Sequence, residues 1–213
     1  MDKPHAGTGR ETIRDPMFKR VIDLLAAGGG LLVLCPLLAV LALAVKGTSP
    51  GPVFFRQERV GRGGRSFRIL KFRTMVADAE RRGLHITAGG DPRITPVGRL
   101  LRHYKMDELP QLWNVLVGDM SLVGPRPEVA KYVALYSSEQ RRVLEVRPGI
   151  TDPASLAYRH EEALLARAAD PERFYVEMVM PAKLRINLDY INHRTFVRDL
   201  GVLLRTVHTS AKG

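Results

Sequence analysis

The 213-residue chain has a single cysteine, Cys35, placed inside an apolar run. An internal disulfide framework is therefore excluded, and a cysteine-based metal site is disfavoured. Histidines 85, 103, 160 and 193 are scattered without metal-ligand spacing and read as structural or exposed. No Walker-type phosphate loop, no dinucleotide-binding glycine fingerprint and no Ser-His-Asp order occurs, and no internal repeat or low-complexity block is present. Acidic residues are in deficit: 22 Asp and Glu against 33 Lys and Arg leave a formal charge of +11. That surplus implies an anionic partner, whether nucleic acid, an acidic membrane surface or a phosphorylated substrate. Hydrophobic residues make up 45% of the chain, which excludes wholesale disorder and suits one or two ordinary domains.

Residues 24–45 carry no charge. As a straight helix they would measure roughly 33 Å at ~1.5 Å per residue, enough to cross a bilayer core. About 20 residues precede the run and no small-residue cleavage pattern follows it, so it does not read as a cleavable signal. Asp15-Pro16 has the pattern of an N-cap with proline at the first helical position. Pro36, after Gly28-Gly29-Gly30 and Cys35, removes one helical hydrogen bond and predicts a kink. Five Lys/Arg lie in the first 23 residues and 28 in the remainder, so a spanning helix would put one basic group outside. A kinked re-entrant helix that enters and leaves by one face avoids this. The re-entrant and spanning forms both stay open on these residues alone.

From 51 to 75, apolar Val53-Phe54-Phe55 and Phe67-Arg68-Ile69-Leu70 flank Gly61-Arg62-Gly63-Gly64-Arg65 and predict a β-hairpin with a basic lobe. Thr95-Pro96 predicts a helix running to about 106 and a second follows over 108–117, stopped by Gly118. Residues 121–127 read as a loop. Further helices are expected over 128–146, 160–169 and 171–191. Over 195–207, Phe196, Val197, Leu200, Leu203, Leu204 and Val207 share one helical face, for core packing or for the bilayer interface.

Two stretches carry candidate chemistry. In Lys105-Met106-Asp107-Glu108-Leu109-Pro110-Gln111-Leu112-Trp113-Asn114, Pro110 marks a helix start with Asp107 or Glu108 as cap. A carboxylate there is expected to stay ionised, as nucleophile or cation ligand, or simply as a cap. In Ser121-Leu122-Val123-Gly124-Pro125-Arg126-Pro127, two prolines fix one guanidinium, for a phosphate or for a structural ion pair. Arg99 and Arg102, three residues apart, could share the anion. Trp113 reads as a core or interface aromatic.

Five motifs stand in order after the Pro36-broken run: Gly51-Pro52-Val53-Phe54-Phe55-Arg56-Gln57, Lys71-Phe72-Arg73-Thr74-Met75, Asp107-Glu108-Leu109-Pro110-Gln111-Leu112, Ser121 to Pro127, and Arg147-Pro148-Gly149-Ile150-Thr151. Together they resemble the bacterial sugar transferases, specifically the small monotopic polyprenyl-phosphate phosphoglycosyl transferases. The resemblance covers roughly residues 16–207, and Tyr158-Arg159-His160-Glu161-Glu162 is similar to the small branch.

The resemblance implies a mainly α fold with a small β-hairpin: a loose N-terminus over 1–15, a Pro-kinked re-entrant membrane helix over 16–46, and a cytoplasmic catalytic domain with interfacial amphipathic helices over 47–213. It implies transfer of a phosphosugar from a UDP-sugar to a polyprenyl phosphate such as undecaprenyl phosphate, with release of UMP, at the bacterial inner membrane. Asp107 would be the nucleophile and Glu108 the Mg²⁺ ligand. Arg126 and Arg102, and more weakly Lys71 and Arg73, would contact phosphate or nucleotide. The family usually breaks its membrane helix at Ser-Pro, whereas here the pair is Cys35-Pro36. Implied partners are the UDP-sugar, the polyprenyl phosphate and inner-membrane lipids. A homodimer is compatible with it and nucleic acid is not expected. A rival reading is a membrane-tethered basic protein that binds anionic lipid or nucleic acid without catalysis, and another is a nucleotide-sugar hydrolase.

Overall fold

A computed structural model describes residues 16–76, 79 and 91–212. The expected loose N-terminus over 1–15, the Asp15 cap and His85 lie outside the described residues. The chain opens with helix α1, Met17–Thr48, which runs continuously through Pro36. Two antiparallel strands follow, β1 (Phe54–Val60) and β2 (Ser66–Phe72), in register from Phe54 opposite Phe72 to Val60 opposite Ser66. They form the hairpin that the glycine-rich turn predicts. Gly63 and Gly64 occupy left-handed backbone there, at φ 67° and 76°, which a side chain would disfavour.

Helices α2 (Pro96–His103) and α3 (Gln111–Val117) come next, then strand β3 (Ser121–Val123), helix α4 (Ala130–Val133) and strand β4 (Gly149–Thr151). Helices α5 (Pro153–Ala157), α6 (Glu161–Leu165), α7 (Pro171–Phe174), α8 (Met180–Asn192) and α9 (Phe196–Lys212) complete the described chain.

Several sequence expectations are corrected. Part of the expected loop over 121–127 is strand β3, paired in parallel with β4, Ser121 opposite Gly149 and Val123 opposite Thr151. The single helix over 128–146 is instead α4 and a 3₁₀ segment, Gln140–Glu145. Between them Ser137 and Gln140 exchange side-chain and backbone hydrogen bonds that compete with a helical ladder. The helix over 160–169 shortens to α6, and the first helix of the Thr95-Pro96 segment ends at His103. The expected 171–191 helix is borne out as a continuous helical run, α7 and α8 joined through a π-helical turn, Tyr175–Val179.

The main core gathers Val60 and Ile69 of the hairpin, Val115 of α3, Leu122 and Val123 of β3, and Val179, Leu184 and Ile191 of the α8 region, with Ala27 of α1. A smaller cluster joins Leu41 and Val45 of α1 to Phe72 and Leu101. Helix α1 is thus packed on the body near both ends. Lys19 pairs with Asp199 at 2.5 Å, and Arg20 donates to the carbonyls of Val115 and Leu116 at 2.7 and 3.2 Å, closing the end of α3. At the other end Arg73 donates to the carbonyls of Ser49 and Pro50 at 2.7 and 3.0 Å. The outward side of α1 leaves Leu25, Leu32, Val33 and Leu43 more than two-thirds exposed.

Candidate active site

The acidic pair sits in an elbow between two helices. Thr95 caps α2, its side chain accepting from the Gly98 N–H at 2.9 Å, with Pro96 at the first helical position, as the sequence predicts. A Cβ on Gly98 would fall 2.0 Å from the Thr74 carbonyl, so only glycine lets α2 ride on that segment. After α2, Lys105 turns left-handed at φ 57°, and Met106–Glu108 make one 3₁₀ turn before α3. Neither Asp107 nor Glu108 caps a helix by its side chain, contrary to the sequence expectation. Leu109 and Pro110 are already helical, so the break falls at Lys105 and the acidic pair lies inside the elbow.

Freed from capping, Glu108 is gripped by two cations. Its carboxylate meets Lys71 Nζ at 2.7 Å and both terminal nitrogens of Arg126, at 2.5 and 3.3 Å. Burial opposes ionisation of Glu108, but Arg126 and Lys71 outweigh it and hold the group well below the ordinary carboxylate value. The same carboxylate pushes Arg126 up, while burial pulls Lys71 down. The backbone leading to Arg126 is held where the chain after β3 stays bonded beside β4. The Gly124 N–H bonds to the Thr151 carbonyl at 3.0 Å and the Gly149 N–H to the Pro125 carbonyl at 3.0 Å. A Cβ on Gly124 would lie 2.5 Å from the Arg147 carbonyl.

Asp107 is in a different state. It is 8% exposed, and its Oδ1 has no hydrogen-bond partner. Burial first, and Glu108 second, raise its pKa; Lys71, Lys105 and Arg102 pull the other way without winning. Desolvation therefore opposes the ionisation of Asp107 that the adjoining helix start favours. Among the described residues no group of three or more His, Cys, Asp or Glu gathers into a metal cage. The carboxylate chemistry of Glu108, next to Asp107 in the chain, nevertheless suits a hard divalent cation that would complete its shell with phosphate and water.

Lys71, Asp107, Glu108 and Arg126 line one open groove of about 2090 Å³, together with Arg99 and Arg102. The structure brings the first four together. Arg102 instead forms an ion pair with Glu162 of α6, across the groove. Arg73 is buried against the end of α1. Trp113 is 55% exposed, on the outer side of α3.

Sequence reasoning missed a second network. Arg59 of β1 pairs with Glu128 at 3.0 Å and donates to the Pro127 carbonyl at 3.3 Å, and Tyr175 donates to Glu128 at 2.5 Å. It clamps the turn that carries Arg126. Glu128, directly after the Pro-Arg-Pro turn, was the available signal; Tyr175, 47 residues away in the π turn, left none.

The bacterial sugar transferase family matches residues 14–213. A UDP-N-acetylgalactosamine-undecaprenyl-phosphate N-acetylgalactosaminephosphotransferase of Aeromonas hydrophila is 38% identical over 200 residues, 92% of this chain and 44% of that protein. UDP-glucose:undecaprenyl-phosphate glucose-1-phosphate transferases of Caulobacter vibrioides and Escherichia coli are 42% and 35% identical over 89% and 97% of this chain. The chain spans 68% of the Caulobacter protein and 41% of the E. coli one.

Proposed function

The chain belongs to the bacterial sugar transferase family, and from that premise we propose that it moves a phosphosugar from a UDP-sugar to a polyprenyl phosphate such as undecaprenyl phosphate, releasing UMP, as the first membrane step of glycan assembly. The observation that carries this reading is the Lys71–Glu108–Arg126 cluster beside a buried Asp107 oxygen that nothing else uses. Phosphoryl transfer needs fixed positive charge, a positioned nucleophile and limited water, and the cluster offers all three.

The reaction runs in two displacements. A carboxylate oxygen of Asp107 attacks the β-phosphorus, forming an Asp–phosphosugar bond while the bond from phosphorus to the bridging oxygen breaks and UMP leaves with that electron pair. An oxygen of the lipid phosphate then attacks the same phosphorus and returns Asp107 as carboxylate. Desolvation makes the Asp107 anion a stronger nucleophile, at the expense of the fraction ionised. Arg126 and Lys71 stand where charge on the transferring group would develop. Glu108 would hold Mg²⁺, which would supply charge neutralisation on the diphosphate.

The acceptor's phosphate lies at headgroup depth, so the site must be seated on the membrane surface. Helix α1 supports a monotopic, re-entrant seat on the cytoplasmic face of the inner membrane. Charged residues near its two ends, Lys19 and Arg20 at one and Lys46 at the other, belong to a helix tied near both ends to the same body. A spanning helix would put those ends on opposite sides of a hydrocarbon layer about 30 Å thick. Exposed Leu32 and Val33 of α1, Trp113 and Val117 of α3, and Val197 and Leu204 of α9 offer apolar surface for the interface.

The test is UMP release from a panel of UDP-sugars, with Mg²⁺, detergent-solubilised protein and undecaprenyl phosphate. Sustained release that needs the lipid and disappears in Asp107→Asn is expected. Full turnover in Asp107→Asn would overturn the covalent route, and sustained turnover without lipid would point to a hydrolase.

A further inference from the structure

The stretch from Asp107 to Asn114 places polar residues at 107, 108, 111 and 114. Spacings of three and four put them on one side of the elbow and α3. The far end of this stripe is occupied: Asn114 accepts from the Leu70 N–H and donates to the Arg68 carbonyl, both at 2.9 Å, clamping the free edge of β2. The near end is occupied too, since Glu108 holds Lys71 and Arg126. Between them lies Gln111, fully buried, with neither its Oε1 nor its Nε2 in any hydrogen bond.

An unpartnered buried carboxamide is costly, and Leu or Met would fill the same space without that cost. One turn earlier, Asp107 Oδ1 is likewise buried and unpartnered. The two are complementary, an N–H donor and an anionic acceptor. Helical side chains lean toward the N-terminus, so the reach of Gln111 lies over the turn that carries Asp107.

We propose that Gln111 is a positioning residue for the transfer: with the donor bound, its carboxamide N–H, unbonded in this structure, engages Asp107 Oδ1 and so turns Oδ2 toward the phosphorus. The inference rests on the proposed function. The bond formed is Oδ2–phosphorus and the bond broken is phosphorus to the bridging oxygen of UMP. In the acyl-phosphate, Oδ1 becomes the carbonyl oxygen and remains an acceptor. When the lipid phosphate displaces Asp107, the same N–H stabilises the departing carboxylate. Gln111 touches neither substrate and acts only through Asp107.

The experiment compares wild type with Gln111→Met on the UDP-sugar that wild type turns over, with undecaprenyl phosphate, and follows thermal unfolding of the same samples. Gln111→Leu serves where Met does not fold. Expected is a fall in kcat of roughly 10- to 100-fold at unchanged KM, with a melting temperature equal to or above wild type. Unchanged kcat overturns the inference. So does a kcat loss matched by a lower melting temperature, which would make Gln111 a packing residue. A wild-type protein without Asp107-dependent UMP release would overturn the function itself, so the two failures are distinguishable.

Discussion

Asp23, on the apolar helix α1, accepts the backbone N–H of Leu122 at 3.2 Å and is 4% exposed. Leu122 lies in β3, four residues before Arg126, so the apolar helix is bonded to the strand that leads to the site's guanidinium. Substituting Asp23→Ala leaves that N–H unpaired and is expected to lower stability by about 1–3 kcal/mol. Asp23→Asn keeps an acceptor and should stay near wild type. Thermal unfolding in detergent measures both, and equal melting of the two variants would show that the bond contributes nothing.

Glu108 is the shared partner of Lys71 and Arg126, so its removal strands two cations at once. Glu108→Gln should lower turnover on the order of 10²-fold and destabilise the fold by about 3 kcal/mol. Because the loss comes from charges left unpaired, Lys71→Met combined with Glu108→Gln should cost about 1–2 kcal/mol less than the sum of the single variants. Strict additivity in urea unfolding would mean that the pair is not coupled.

The ordered motifs, the hairpin, the Thr95 cap and the apolar helix were legible because each is written in local pattern: two prolines, a glycine turn, an uncharged run. The family followed from the motifs. What stayed hidden was set by distant contacts. Ser121-Leu122-Val123 becomes a strand only because Gly149-Ile150-Thr151 arrives beside it, and Tyr175 meets Glu128 only through the π turn. The burial of Asp107 stayed hidden for the same reason. Sequence shows the helix that follows it, but not the desolvation that raises its pKa.

Lys105 is the one non-glycine residue with positive φ among the described residues, and it stands two positions before Asp107. The left-handed turn swings the chain out of α2 and into the elbow. Glycine adopts this backbone freely but adds unfolded-state entropy, so Lys105→Gly should be close to neutral in stability. Lys105→Val, β-branched, should cost about 1–2 kcal/mol more than Lys105→Gly. Chemical denaturation of the two variants checks the ordering, and the reverse order would show that the elbow tolerates another backbone.

The acidic neighbours should respond to pH with opposite signs, and this separates their roles. Glu108 is held below its ordinary value, so the stability it contributes is present above the unfolded carboxylate range near pH ~4.3 and is lost as pH falls through its lower folded pKa. Asp107 is raised by burial and by Glu108, so the folded state binds its proton more tightly than the unfolded chain does. Its ionisation therefore costs stability as pH rises through the raised value, and the penalty is absent below the unfolded range. Asp107→Asn removes that penalty: in EDTA it should melt higher than wild type at pH 7, and the gap should close below about pH 4. Turnover should run the other way, rising with pH in wild type as Asp107 ionises and staying absent in Asp107→Asn at every pH. An Asp107→Asn protein that melts lower than wild type at pH 7 would mean that the carboxylate is stabilised where it sits, and the desolvated nucleophile would have to be abandoned.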